Sequence, residues 1–118
     1  MHGYGSALVE TQRYAEAIPY LERALQGDTV DNDRRAAVLL DLGVAFWQTG
    51  RSDDALRAFE SALRAAPSSK AHSNLGVMLF QLGRLDEAAG HWREALRLQP
   101  GMVEAEAGLD AVRARQGR

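Results

Sequence analysis

Residues 74–100 decide the fold, and they read NLGVMLFQLGRLDEAAGHWREALRLQP. Residues 41–67 show the same order of small and large side chains and read DLGVAFWQTGRSDDALRAFESALRAAP. Leucine, alanine and proline recur at a constant distance, because 75 − 42, 88 − 55 and 100 − 67 all equal 33. A period of this length, with two helical patterns in each unit, predicts a stacked array of helical hairpins.

The recurring positions carry one specific pattern of side-chain sizes. They are, pair by pair, Gly43 and Gly76, Ala55 and Ala88, Phe59 and Trp92, Ala62 and Ala95, and Pro67 and Pro100. This pattern resembles the tetratricopeptide repeat (TPR), in which Leu-Gly and an aromatic residue are followed by Ala, Phe, Ala and Pro. The resemblance implies an all-α fold, an α-solenoid of antiparallel helix hairpins stacked in a right-handed superhelix.

The period also predicts how the domain is divided. We expect one domain over 1–118, with repeats at about 1–31, 36–68 and 69–102 and a capping helix at about 103–116. The first repeat is truncated, because Tyr4-Gly5 stands where Leu-Gly stands in the others, which indicates a piece of a longer protein. Gly3 and Gly5 weaken its short first helix, which we expect to fray before a second helix from about Tyr14 to Gln26.

The junction between repeats one and two contains extra residues. Ala17 and Ala55 are 38 positions apart, about four more than a 34-residue unit needs. Either the loop is longer, or an acidic cap at 31–33 starts the next helix early, and we favour the early start. Within the later hairpins, Gly50 and Gly83 are expected to take the left-handed conformation of a tight turn.

Composition excludes several functional classes. A net charge of −2 provides no drive toward nucleic acid or an anionic membrane, and the lack of cysteine rules out a thiolate metal site. No apolar run approaches the roughly 18 residues of a membrane span, and no signal peptide precedes the repeats, which favours a cytoplasmic location. Abundant alanine and arginine, with Lys70 as the sole lysine, indicate a GC-rich bacterial source.

The family resemblance implies a binding groove, because the first helix of each TPR lines the concave face. Carried over by position, the groove consists of Leu40, Asp41, Val44, Trp47 and Gln48 from repeat two and Lys70, Ser73, Asn74, Val77, Phe80 and Gln81 from repeat three, with His2, Ser6, Val9 and Glu10 from repeat one. Five of these residues would form an apolar floor, namely Leu40, Val44, Trp47, Val77 and Phe80. The carboxylate and amide groups of the others suit the backbone of an extended peptide.

Two functions from different classes follow. The first is a protein-interaction scaffold that binds a peptide or protein segment, with Trp47 either an anchor or a packed residue. The second is a structural or self-association module of a larger protein, which could position an enzyme domain; Leu8 and Val9 could promote association. TPR domains that grip chaperone tails carry Lys or Asn at positions held here by His2, Ser6 and Asp41, so that only Lys70 fits and Asp41 would repel a terminal carboxylate.

Nothing in the sequence predicts an enzyme, a cofactor or a metal site. The acidic pairs Asp53-Asp54 and Asp86-Glu87 open second helices, where we expect them as a cap and first turn. His2, His72 and His91 have no spacing that places two on one helical face, and His72 falls at a packed position. The second-helix arginines are expected to be solvated, with Arg64 paired to Glu60.

Overall fold

The computed structural model describes the backbone of residues 2–27 and 31–117, and the side chains of 12–27 and 31–117. Within those ranges the chain forms six α-helices and no strand. They are α1 (His2–Ala24), α2 (Asn32–Gln48), α3 (Ser52–Ala65), α4 (Ser69–Gln81), α5 (Leu85–Leu98) and α6 (Val103–Arg115). The chain divides into two compact units, 1–66 and 67–118, and each is described here by itself.

In the first unit, α1 differs from the prediction. The sequence predicts a short first helix, a turn and a second helix from Tyr14, but α1 is one continuous helix that includes Pro19. The predicted hairpin of repeat one is therefore wrong. The reason is that Gln12 stands 38 positions before Gly50, at the place where a turn needs a positive φ that non-glycine residues disfavour.

The remainder of the first unit follows the prediction closely. The Asp31 side chain accepts a hydrogen bond of 2.7 Å from the backbone N–H of Arg34, which confirms the early acidic start of α2. Gly50 has φ of 82°, and the N–H of Arg51 donates to the carbonyl of Phe46 at 2.8 Å. This bond closes the α2–α3 turn, as in a Schellman motif.

The second unit repeats that hairpin and adds α6. The Ser68 hydroxyl caps α4 by accepting from the N–H of Ala71 at 3.1 Å. Gly83, with φ of 83°, allows the N–H of Arg84 to donate to the carbonyl of Leu79 at 2.9 Å. The two hairpins therefore turn by the same device, 33 residues apart. The capping helix, predicted from about residue 103, is α6.

Glycine and alanine sit where the paired helices cross, as the sequence predicts. A Cβ at Gly43 would lie 2.5 Å from the Phe59 ring, and a Cβ at Gly76 would lie 2.7 Å from Trp92. Ala55 and Ala88 are fully buried. Because no side chain intervenes, each aromatic ring rests directly on the backbone of the helix before it.

Trp92 fills the centre of the second unit. Its ring lies between Gly76 of α4 and Gly108 of α6, and a Cβ at either glycine would overlap it. The capping helix thus buries Ala105 and Val112 beside a glycine that the sequence analysis did not single out. Among the described residues the indole Nε1 has no hydrogen-bond partner, so that close packing here is accompanied by an unsatisfied donor.

The acidic pairs lie in the first turns of α3 and α5, but they do not cap them. The N-cap positions belong to Arg51 and Arg84, whose side chains make no capping hydrogen bond. Arg51 instead pairs with Asp54 at 2.9 Å and Arg84 with Glu87 at 2.7 Å. The acids therefore complement the helix dipole and bind a neighbouring arginine, while the predicted cap is wrong.

Candidate functional site

In the first unit, the predicted groove residues lie along α2 in two rows. Asp41 and Gln48 are exposed, and Val44 and Trp47 are half-buried. Because residues three or four apart share a helical face, Asp41, Val44 and Gln48 form one accessible stripe, with Trp47 at its side. Leu40 is only 9% exposed and belongs to the core, so it contributes little surface to a partner.

In the second unit, α4 presents the equivalent stripe. Lys70, Val77 and Gln81 are exposed and Asn74 is half-buried, at spacings of three and four residues. Ser73 is only 4% exposed and is a buried polar residue of the described chain. The accessible face of α4 is therefore narrower than the sequence predicts, with Ser73 withdrawn from it.

Phe80 is held by its own unit. Its ring centroid lies 5.9 Å from that of Trp92, and the guanidinium carbon of Arg115 lies 5.0 Å above the ring. A cation over an aromatic face is attracted by the negative electrostatic potential of that face. Phe80 therefore ties α4 to α5 and α6 and is only half-buried, and Arg115 is a cationic neighbour that the sequence analysis did not place at this face.

The side chains predicted from repeat one cannot be placed. His2, Ser6, Val9 and Glu10, and with them Leu8, lie outside the residues whose side chains are described. The described part of the predicted site is therefore the two stripes on α2 and α4. They carry one exposed anion, Asp41, and one exposed cation, Lys70.

The outward face of the second helices is solvated, as predicted, but its pairing differs. Arg64 donates to the Ser61 hydroxyl at 3.1 Å and not to Glu60. Asp54 hydrogen-bonds Arg57 as well as Arg51, and these two guanidinium groups hold its pKa below the usual range. Arg97 does the same for the pKa of Glu94. Such exposed pairs contribute little to stability.

Sequence reasoning missed a contact between two histidines. His72 on α4 and His91 on α5 place their Nδ1 atoms 3.0 Å apart. Single-helix spacing cannot reveal such a pair, because the two residues lie on different helices. The available signal is the hairpin itself, since these positions lie 11 and 8 residues from Gly83 on opposite sides of the turn.

Across the described residues, no group of three or more His, Asp or Glu is placed to hold a metal ion. In the same part of the chain, no helix is long and apolar enough to cross a bilayer.

The family follows from comparison with known sequences. Two tetratricopeptide repeat profiles match the chain, one over residues 40–103 and the other over 1–68. The chain belongs to the tetratricopeptide repeat family.

A curated relative shares part of this sequence. The human intraflagellar transport protein 88 homolog is 31% identical over 71 residues, which is 59% of this chain and 9% of that protein. The chain thus corresponds to a small part of the relative's length. Because this relative is human, the comparison does not support the bacterial source inferred from composition.

Solved TPR structures share the fold. The second TPR domain of human RPAP3, in complex with the HSP70 peptide SGPTIEEVD, matches with a TM-score of 0.76 and 23% identity, covering 93% of this chain and 89% of that one. The Sgt2 TPR domain from Aspergillus fumigatus matches with a TM-score of 0.77 and 22% identity, covering 96% and 74%. The Yersinia enterocolitica type III secretion chaperone SycD, in complex with a peptide of the translocator YopD, matches with 0.76 and 19%, covering 96% and 91%.

Proposed function

We propose that this protein is a scaffold that binds an extended peptide or protein segment along the accessible stripes of α2 and α4. The observation that carries the proposal is the recurrence of one surface in both units. Asp41, Val44 and Gln48 on α2 correspond, 33 residues on, to Asn74, Val77 and Gln81 on α4, and all six remain at least partly accessible.

The chemistry of these stripes suits a peptide backbone. An extended segment has N–H and C=O groups that need partners when it leaves water. Asp41 offers an acceptor, and the amides of Asn74 and Gln81 offer both donors and acceptors. The valine between the polar residues adds apolar contact, so that each stripe pairs hydrogen bonding with burial.

The comparisons support peptide binding without identifying a partner. RPAP3 and SycD were each solved with a bound peptide, according to the descriptions of those structures. For this chain we propose a segment with positive or hydrogen-donating character, since Asp41 is exposed on α2. A free terminal carboxylate would be repelled there at short range. The proposed role is recognition and not catalysis.

Two substitutions test the proposal with a peptide probe. A random peptide library displayed on phage supplies ligands for the wild-type chain, and fluorescence anisotropy measures their affinity. We expect Trp47→Ala and Asn74→Ala to weaken binding at least tenfold while leaving the thermal melt nearly unchanged. Arg93→Ala, an exposed change on α5, is the matched control. Normal binding by both variants would reject the proposed surface.

A structural or self-association role is the second candidate, and one observation favours it. An open depression of about 250 Å³ lies among α1, α2 and α3, with a floor formed by Leu25, Leu39, Leu42, Phe46 and Ala58. Tyr20, at 71% exposure, adds another apolar surface to α1. Light scattering across a concentration series separates the two candidates, because a strictly monomeric chain excludes self-association as the role of this surface.

A further inference from the structure

The contact between His72 and His91 is the only described place where two ionisable side chains of the same type meet across a helical hairpin. The Nδ1 atoms are 3.0 Å apart, the ring centroids are 5.2 Å apart, and the ring planes are inclined by 32°. Both rings are half-buried between α4 and α5. The geometry is that of one hydrogen bond between two imidazoles.

Such a bond depends on the number of protons in the pair. One Nδ1 must carry a proton to donate, and the other must be unprotonated to accept. If both rings are protonated, two N–H groups and two positive charges face each other at this distance, and the bond is replaced by repulsion. Histidine is the side chain whose charge changes between about pH 5 and 8, so this loss falls near neutrality.

The surroundings of His72 favour its neutral form. Burial lowers its pKa from the usual 6.5, and the neighbouring His91 lowers it further. Of the charged groups on α5, Glu94 opposes the shift and Arg97 adds to it, while these two also pair with each other. On α4 the nearest neighbours in sequence are uncharged, and Ser69 hydrogen-bonds Gln99 at 2.6 Å.

We propose that the His72–His91 contact is a proton-sensitive latch, which joins α4 to α5 above about pH 6.5 and opens when the pair becomes doubly protonated. The sign follows from linkage. Because the pKa of His72 is lowered by folding, the unfolded chain binds protons more readily than the folded chain. Stability is therefore full above the unfolded value of 6.5 and falls as the pH drops toward the lowered pKa.

The latch adds regulation to the scaffold. His72 lies on the helix that carries Lys70 and Asn74, so loosening of α4 would also disturb the proposed peptide surface, and this consequence alone rests on the proposed function. The latch itself is tested without any partner, so that its failure and a failure of peptide binding are separate results.

The first experiment determines the tautomers in the wild-type chain. Long-range ¹H–¹⁵N NMR at pH 7.5 distinguishes a protonated Nδ1 from an unprotonated one. We expect opposite tautomers for His72 and His91, with both spectra changing together on acidification. Two histidines with the same tautomer, or independent titrations at the ordinary value, would overturn the proposal.

The second experiment measures thermal unfolding at pH 7.5 and pH 5.0, a window above the titration of most carboxylates. We compare wild type with His72→Gln, His91→Gln and the double variant, using His2→Gln as the control. Loss of one such hydrogen bond corresponds to about 4–8 °C in Tm for a domain of this size. We expect the wild type to lose at least this much on acidification, and the double variant clearly less.

Two results would contradict the latch. If wild type and the double variant lose the same Tm between the two pH values, or if His2→Gln removes the dependence, the pair does not sense protons. If EDTA lowers the Tm of wild type at pH 7.5 but not that of the double variant, the histidines are metal ligands and the latch is overturned. Should a glutamine variant fail to fold, the tautomer measurement still decides.

Discussion

Trp92 lies so close to Gly76 that a Cβ at that glycine would be 2.7 Å from the indole Nε1. The equivalent pair in the first unit is Phe59 on Gly43. In both hairpins the aromatic ring occupies the volume that a side chain would need, which makes the glycine a packing requirement and not a source of flexibility.

The first prediction contrasts two glycines of the second unit. Gly76→Ala forces the Trp92 ring to move and should cost about 1–3 kcal/mol by overpacking. Gly90→Ala, on α5, meets nothing within 4 Å and should gain about 0.5–1 kcal/mol because alanine favours the helix. Chemical denaturation measures both. Equal effects of the two substitutions would contradict the crossing-point assignment.

A second prediction concerns the turn between α4 and α5. Gly83 has φ of 83° and open space around it, so an added Cβ meets no atom but strains the backbone. Gly83→Ala should therefore destabilise the chain by about 1–2 kcal/mol. Gly83→Asn should cost less, because asparagine tolerates the left-handed region better. Urea midpoints test this order, and a reversed order would show that the turn is not conformationally constrained.

The third prediction concerns the centre of the second unit. Trp92 is 3% exposed, and Trp92→Ala should cost about 3–5 kcal/mol because it leaves a cavity between α4, α5 and α6. Val103, at 72% exposure, is the matched apolar control, and Val103→Ala should change stability by less than about 0.5 kcal/mol. Circular dichroism melts provide the comparison. Similar losses in both variants would mean that Trp92 is not the packing centre.

The fourth prediction concerns charge on the surface of α3. Asp54 accepts from both Arg51 and Arg57, which lower its pKa, so the stability it contributes is present above its unfolded value of 3.8 and is lost as the pH falls through the folded pKa. Asp54→Asn should lower Tm slightly at low ionic strength, and the difference should shrink in high salt. Asp53→Asn serves as control. A difference that persists in high salt would point to something other than ion pairing.

Much of the fold was predictable because its signals are local. The period of 33, Gly50, Gly83 and the Asp31 cap give the bounds of α2 to α6 within a residue or two. The continuous α1 was not predicted, because repeat matching gave more weight to Ala17 than to the missing turn glycine at Gln12. A turn depends on backbone conformation, and side-chain periodicity alone does not guarantee it.

The candidate site was only partly predictable, because its details depend on contacts between helices. Positional transfer identified the stripes but could not show that Leu40 and Ser73 are buried. It also could not place Arg115 over Phe80 or bring His72 to His91. Those contacts depend on how far each helix is rotated about its axis, which a repeat pattern leaves undetermined.

Gly108 has a practical consequence for anyone who shortens this protein. A chain cut at Pro100 would retain Trp92 but lose the helix that covers its second face, leaving an indole bare to water in an otherwise folded hairpin. Such a fragment should be sticky at high concentration. The sensible end point for a trimmed version is therefore beyond Arg115, even if every residue that contacts a ligand lies upstream.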